Sequence, residues 1–414
     1  MILRAKTVLP VTAPPIDDGA IVIAGKKILA VAPFRDLPPS ANEQIFDLGE
    51  VILLPGLVNA HCHLDYTDMA GQLSPPKTFT DWIGQMLAAK SAWGFSDYAR
   101  SWLNGAHQLL NTGTTTVADI EAMPDLLPEV WHATPLRVFS FLEMTGIKSR
   151  RTPKEILRET ANKIDSLKHP RNRALLSPHA PYSTLPELLK LAAAAARKRK
   201  WRVSTHIAES AEEFEMFLHA RGKMHDWLVR NQRDNSDCGH GSPVAHFARH
   251  KLLGENVLAI HVNYLARGDA TLLAKNKTHV VHCPRSHDYF RHAPFERARL
   301  AKAGVNLCLG TDSLATVRKT GKQKPELNLF ADMRQFADAD KTVSSQEILQ
   351  MATVNSARAL GLAGKIGELS KNAFADVIAI PFAGKLSRTH EAVLEHAGNV
   401  AASMIEGRWA ISPA

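Results

Sequence analysis

Several histidines and carboxylates in this chain stand where short apolar runs end, and their types suit metal-assisted hydrolysis. The first run closes as Pro55-Gly56-Leu57-Val58-Asn59-Ala60-His61-Cys62-His63. On an extended strand, side chains two apart share a face, so His61 and His63 can aim at one point. A second run ends Ser204-Thr205-His206-Ile207-Ala208-Glu209, a third ends Leu258-Ala259-Ile260-His261, and a fourth leads through Cys308-Leu309-Gly310-Thr311 to Asp312. Taken singly, each has a plain structural reading. Glu209 would favour the dipole of a following helix, and Asp312 would cap one. Together, imidazoles and a carboxylate at the exits of several strands make a nitrogen/oxygen ligand set suited to Zn²⁺ or Fe²⁺.

The elements that must bring these groups together are legible as an alternation. Apolar, β-branched-rich runs fall at 51–60, 114–120, 136–144, 173–178, 202–207, 257–262, 279–283 and 305–310. Helix-like periodicity lies between them, as at 185–199 and 211–221. Strand–helix alternation implies parallel neighbours, and eight units point to a closed (β/α)8 barrel with its chemistry at the C-terminal strand ends. Residues 1–54 and 361–414 differ in style, with turn signals between short strand-like pieces at 20–24, 28–31, 376–380 and 404–409. The expected organisation is an α/β barrel over 55–360 and a small composite β-sandwich from the two ends.

Composition narrows the class. The 414 residues are 45% hydrophobic and 22% charged, which excludes wholesale disorder, collagen-like repeats and coiled coil. The net charge of +9 is modest for this length, and the densest basic run, 197–200, reads as a solvated helix end without interleaved aromatic residues. No nucleic-acid partner is expected. Four scattered cysteines argue against a disulfide framework. The N-terminus lacks the pattern of a signal peptide, and no apolar run approaches the roughly 18 residues of a membrane span. The expected setting is the cytoplasm, with a small-molecule substrate and no membrane partner.

The motifs as a set resemble the amidohydrolase superfamily, within it the branch of cytosine, guanine and adenosylhomocysteine deaminases that also holds triazine chlorohydrolases. The resemblance extends to Ala352-Thr353-Val354-Asn355-Ser356-Ala357-Arg358-Ala359-Leu360-Gly361 and the closing 367–377 segment. It implies one divalent ion, zinc in first place and iron as the alternative, held by His61, His63, His206 and Asp312. The exit of the run at 173–178, Ser177-Pro178-His179-Ala180-Pro181-Tyr182, lacks the modified lysine of two-metal members, which favours a mononuclear site. Coordination would lower the pKa of a bound water from about 16 toward about 7. Glu209 would carry the proton between that water, a ring nitrogen and the departing amine, and His261 would orient the attacking oxygen. The resemblance also implies a dimer or larger assembly.

Four further residues are candidate substrate contacts. His179 lies in a Pro-His-x-Pro-Tyr segment like that of purine-nucleoside deaminases, and Trp82 offers an aromatic surface after the first strand. Glu143, in Glu143-Met144-Thr145-Gly146, resembles the Glu-x-x-Gly of aminofutalosine deaminases, and suits sugar hydroxyls or an amine. His282 opens His282-Cys283-Pro284-Arg285-Ser286-His287, where His287 replaces the family's usual Asn. The reading favoured is hydrolytic deamination of an adenine nucleoside such as aminofutalosine, adenosylhomocysteine, methylthioadenosine or 5′-deoxyadenosine. The alternatives are a formiminoglutamate-type deiminase, for which Arg285 and Arg318 are the nearest cations, a guanine, cytosine or pterin deaminase, and a triazine-type chlorohydrolase.

Overall fold

The structure is a computed structural model that describes residues 1–37, 44–147, 149–319 and 324–413. Eight parallel strands lie side by side in chain order: β1 (Leu57–Cys62), β2 (Thr114–Glu121), β3 (Arg137–Met144), β4 (Arg173–Pro178), β5 (Val203–Ile207), β6 (Val257–His261), β7 (His279–His282) and β8 (Leu307–Leu309). Strand residues alternate between two cores. Leu258, Ile260, Val281 and Cys308 pack in the barrel interior, while Val257, Ala259, Val280 and Leu307 pack outward under the helices.

The ring closes between β8 and β1. The backbone N–H groups of Thr311 and Asp312 donate to the His61 carbonyl at 3.0 and 3.1 Å. Asn59 Nδ2 donates to Thr311 Oγ1 at 2.7 Å, and the Thr311 N–H donates to Asn59 Oδ1 at 3.1 Å. Gly310 makes this approach feasible, since a Cβ there would stand 2.8 Å from both the His61 Cβ and its carbonyl oxygen.

The apolar run 51–60 is two strands where one was expected. Val51–Pro55 belongs to the other sheet, pairing parallel with Ile2–Val8 and antiparallel with Val377–Pro381. The break falls at Gly56, after a proline that cannot donate to a ladder. Its N–H donates to the Asp376 carbonyl at 3.0 Å, and a Cβ would collide with the Thr115 side chain at 2.2 Å. Pro55-Gly56 marks the break, but both flanking strands are buried, so nothing local says that they belong to different sheets.

The second sheet is mixed, eight-stranded and built from both ends of the chain. Arg137, at the start of β3, ties the barrel to it by ion pairs with Asp376 and with Glu406, the latter at 3.2 Å. The expected helix at 185–199 runs Pro186–Arg199 and stops where Lys200 turns left-handed at φ 55°. The one at 211–221 ends earlier, as Ala211–His219. Among the described residues no helix is long and apolar enough to cross a membrane.

Candidate metal centre and substrate cavity

A register shift in β1 sets the first two imidazoles. Val58 and Ala60 face the barrel interior, and an irregularity between Asn59 and Cys62 passes the inward face to His61 and His63. Their ring centroids lie 5.0 Å apart, and His206 from β5 stands 5.0 Å from His61 and 5.5 Å from His63. Ligand atoms of His61, His63 and His206 all fall within 4.8 Å of one another, as do those of His61, His261 and Asp312. Asp312 Oδ1 is 3.5 Å from His61 Nε2 and 3.7 Å from His63 Nε2.

These residues fit a cation. His61 is fully buried, and neither of its ring nitrogens has a hydrogen-bond partner. Leaving such a group unsatisfied costs about 1–3 kcal/mol, a penalty that ligation removes. Burial holds His63 and His261 down at about 3, so both rings are neutral, the form that binds metal. Burial opposes the charge on Asp312, but the facing imidazoles of His61, His261 and His63 outweigh it and keep the carboxyl below its ordinary value. His206 Nδ1 donates to the His179 carbonyl at 2.9 Å, which fixes its tautomer and leaves Nε2 free to ligate. Asp119, at the exit of β2, accepts from the Leu64 N–H at 3.0 Å and from Trp102 Nε1 at 3.1 Å, clamping the turn just after His63.

Backbone strain collects at the same exits. Ala208, His261, Val262 and Asp312 take positive φ of 52°, 71°, 50° and 54°. For residues with a Cβ, each costs about 1–2 kcal/mol and needs surrounding structure to hold it. The Glu213 carboxylate accepts from the N–H groups of Ala208 and Glu209 at 2.8 and 2.9 Å. The resulting turn brings Glu209 Oε1 to 3.5 Å from His261 Nε2. Burial first, then the nearby Asp312 and Glu213 carboxylates, push the Glu209 carboxyl well above its usual range.

A cavity of about 370 Å³ opens over this cluster. His63, His206, Glu209 and Asp312 form its floor, and His179, Glu143 and Trp82 line its walls. His179 Nδ1 lies 2.6 Å from Ser183 Oγ, which itself donates to the Ala180 carbonyl, so the neutral ring presents Nε2 as an acceptor 4.0 Å from Glu143. Burial works against the Glu143 charge, but His179, Lys90 and His63 more than offset it. Trp82 packs edge-on against Phe290, with centroids 5.3 Å apart. His282 is placed differently from the other candidates. It stacks on Phe295 with centroids 3.9 Å apart and is not among the cavity's lining residues. Sequence reasoning also passed over Lys90, Tyr182 and Trp227 on the walls, and Asp119 and Glu213, which hold the backbone after His63 and at Ala208 and Glu209. Lys90 sits on the Trp82 helix, Phe79–Ser91, and Tyr182 belongs to a quoted motif; Trp227 carried no signal.

Residues 52–410 match the amidohydrolase family. The chain belongs to that family. It is 30% identical over 379 residues to a protein of Syntrophobacter fumaroxidans named 5-methylthioadenosine/S-adenosylhomocysteine deaminase, covering 88% of this chain and 80% of that one. A protein of the same name from Thermococcus onnurineus is 29% identical, with 91% and 84% covered. Among solved structures, the fold is similar to Helicobacter pylori aminofutalosine deaminase in complex with methylthio-coformycin, at TM-score 0.88 and 20% identity over 99% of both chains. It is also similar to zinc-complexed atrazine chlorohydrolase from Arthrobacter aurescens, at TM-score 0.84 and 20% identity over 99% and 94%. Both neighbours share the barrel and terminal sheet of this amidohydrolase.

Proposed function

We propose that this amidohydrolase is a metal-dependent hydrolytic deaminase that converts an adenine nucleoside to its hypoxanthine counterpart and ammonia. The observation that carries the reading is Glu209. It is a buried carboxyl with a raised pKa on the cavity floor beside a neutral histidine and the ligand cluster. Loss of ammonia needs a proton donor, whereas loss of chloride does not. A buried carboxyl beside the ligand cluster that can take a proton from water and return it to the departing group suits the first leaving group.

His61, His63, His206 and Asp312 would hold one divalent ion, zinc in the first instance. When bound, such an ion makes water nucleophilic at neutral pH. Glu209 takes one proton from the attacking water and delivers it to a ring nitrogen, then takes the remaining proton of the added hydroxyl and delivers it to the amine, so that ammonia leaves as the ring carbonyl forms. His261, neutral and 3.5 Å away, orients the water through Nε2. His179 contacts the base through its Nε2, Glu143 accepts from sugar hydroxyls, and Trp82 covers the ring. The deaminase names of the two relatives support this substrate class.

A formimino amino acid is disfavoured by the placement of the arginines. Arg285 donates to Asp332 at 2.8 Å and Arg318 to the Asp288 carbonyl at 2.7 Å, and neither lines the cavity. Its one lysine or arginine among the described residues is Lys90. We place the enzyme in the cytoplasm as a homo-oligomer, in keeping with four free, buried cysteines and with the family resemblance. An ultraviolet screen of adenine nucleosides tests the substrate class, because deamination to hypoxanthine changes the absorbance. A response from at least one nucleoside is expected. A flat panel together with ammonia release from formimino compounds would reverse the assignment.

A further inference from the structure

We propose that His287, acting through Asn263, is a positioning residue for the turn that carries Glu209. The inference rests on the deaminase reading for its kinetic arm alone. The reaction as described gives His287 no part.

The geometry is a two-link chain. Asn263 is buried, and its Nδ2 donates to the Glu209 carbonyl at 2.9 Å. That bond orients the amide, so its Oδ1 faces away from Glu209 and must find a donor. His287 Nδ1 stands 3.0 Å from this oxygen and supplies the N–H. The Asn263 backbone N–H meanwhile donates to the Ala208 carbonyl at 3.0 Å. Asn263 therefore grips both residues of the strained segment, and His287 keeps the amide from turning over. The grip spans the left-handed residues Ala208, His261 and Val262, whose strain would otherwise drive the turn toward relaxed conformations and separate Glu209 from His261.

Nδ1 of histidine and Nδ2 of asparagine both sit one bond beyond Cγ, so either side chain can present an N–H at this spot. Phenylalanine keeps the ring volume of histidine and loses the donor.

The test compares wild-type metal-loaded protein with His287→Phe and His287→Asn. Two readouts are taken, hydrogen–deuterium exchange over residues 203–213 and steady-state kinetics on an adenine nucleoside. In His287→Phe the Ala208 and Glu209 amides should exchange about 5-fold faster or more, the consequence of one lost hydrogen bond. Its kcat should fall about 10–100-fold, with KM within about 2-fold and metal content unchanged. His287→Asn should stay within about 3-fold of wild type in both, because its donor is retained. Wild-type exchange in the Phe variant, or an Asn variant as loose as the Phe variant, would overturn the proposal. If His287→Phe does not fold, Asn263→Asp replaces it. Its carboxylate still accepts from His287 but cannot donate to Glu209, and unchanged exchange there would be equally fatal. Absence of nucleoside turnover by wild type would defeat the deaminase reading and leave the exchange arm to decide this one.

Discussion

Nε2 of His261 stands 3.5 Å from Oε1 of Glu209, and both side chains are buried. Neither strand alone could arrange this. Glu209 lies beyond the end of β5 and His261 closes β6, and each reaches the barrel mouth through residues in left-handed conformation. Burial pushes the carboxyl up and the imidazole down to about 3, which places a group able to exchange a proton beside a neutral ring at the barrel mouth.

Glu209→Gln keeps the shape of the site and removes the transferable proton. kcat is expected to drop about 10²–10⁴-fold, with metal content and substrate KM within a few-fold of wild type. Steady-state kinetics paired with elemental analysis checks both halves. Near-normal turnover would remove Glu209 from the shuttle.

Asp119 should act on metal affinity. It accepts two hydrogen bonds that fix the chain after His63. In Asp119→Asn the amide has a single acceptor oxygen for those two donors. Competition against a chromophoric chelator should show metal binding weakened about 10–100-fold.

Glu143 is assigned to sugar hydroxyls, so its effect should depend on the sugar. Glu143→Gln is expected to lower kcat/KM about 10–100-fold for a ribonucleoside, the worth of hydrogen bonds to a charged acceptor. For the 2′,3′-dideoxy analogue the same substitution should change little. Equal losses on both would detach Glu143 from the hydroxyls.

How much of this was legible in the sequence differs from element to element. The alternation of strands and helices and the reactive types at their exits follow from local pattern, so the barrel and the residues 61, 63, 206, 209, 261 and 312 could be read directly. The change of sheet at Gly56 could not: Pro55-Gly56 signals a break, but both flanking strands are fully buried and nothing local assigns them to different sheets. Nor could the supports behind the site. Asn59 and Thr311 bond across 252 positions, and Asp119 meets Leu64 across 55, so no spacing rule links them. For His282 the sequence leaves a substrate-facing and a structural role open, and its stack on Phe295 is an environment that only the folded chain supplies.

His279 gives a pH dependence away from the metal site. Its Nε2 donates to the Glu255 carbonyl at 3.1 Å, and its Nδ1 accepts from Asn306 Nδ2 at 3.0 Å, so both nitrogens are satisfied in the neutral ring. Burial, with Arg202 adding to it, lowers the ring to about 4. The unfolded chain, titrating near about 6.5, then binds the proton more readily than the folded one, and stability falls as pH drops below that value. Between pH 7.5 and 5 the unfolding free energy of wild type should lose about 2 kcal/mol relative to His279→Gln. Denaturant titrations of both proteins at the two pH values measure that difference directly, and any effect of metal loss cancels.

Chelator-treated protein titrated with zinc, with ammonia release from an adenine nucleoside followed at each addition, is the most direct trial of the hydrolytic centre. Activity should be absent at the start, rise in proportion to added metal and level off at one ion per chain. Full activity after chelation, or a plateau reached only at two ions per chain, would contradict a one-ion site built from His61, His63, His206 and Asp312.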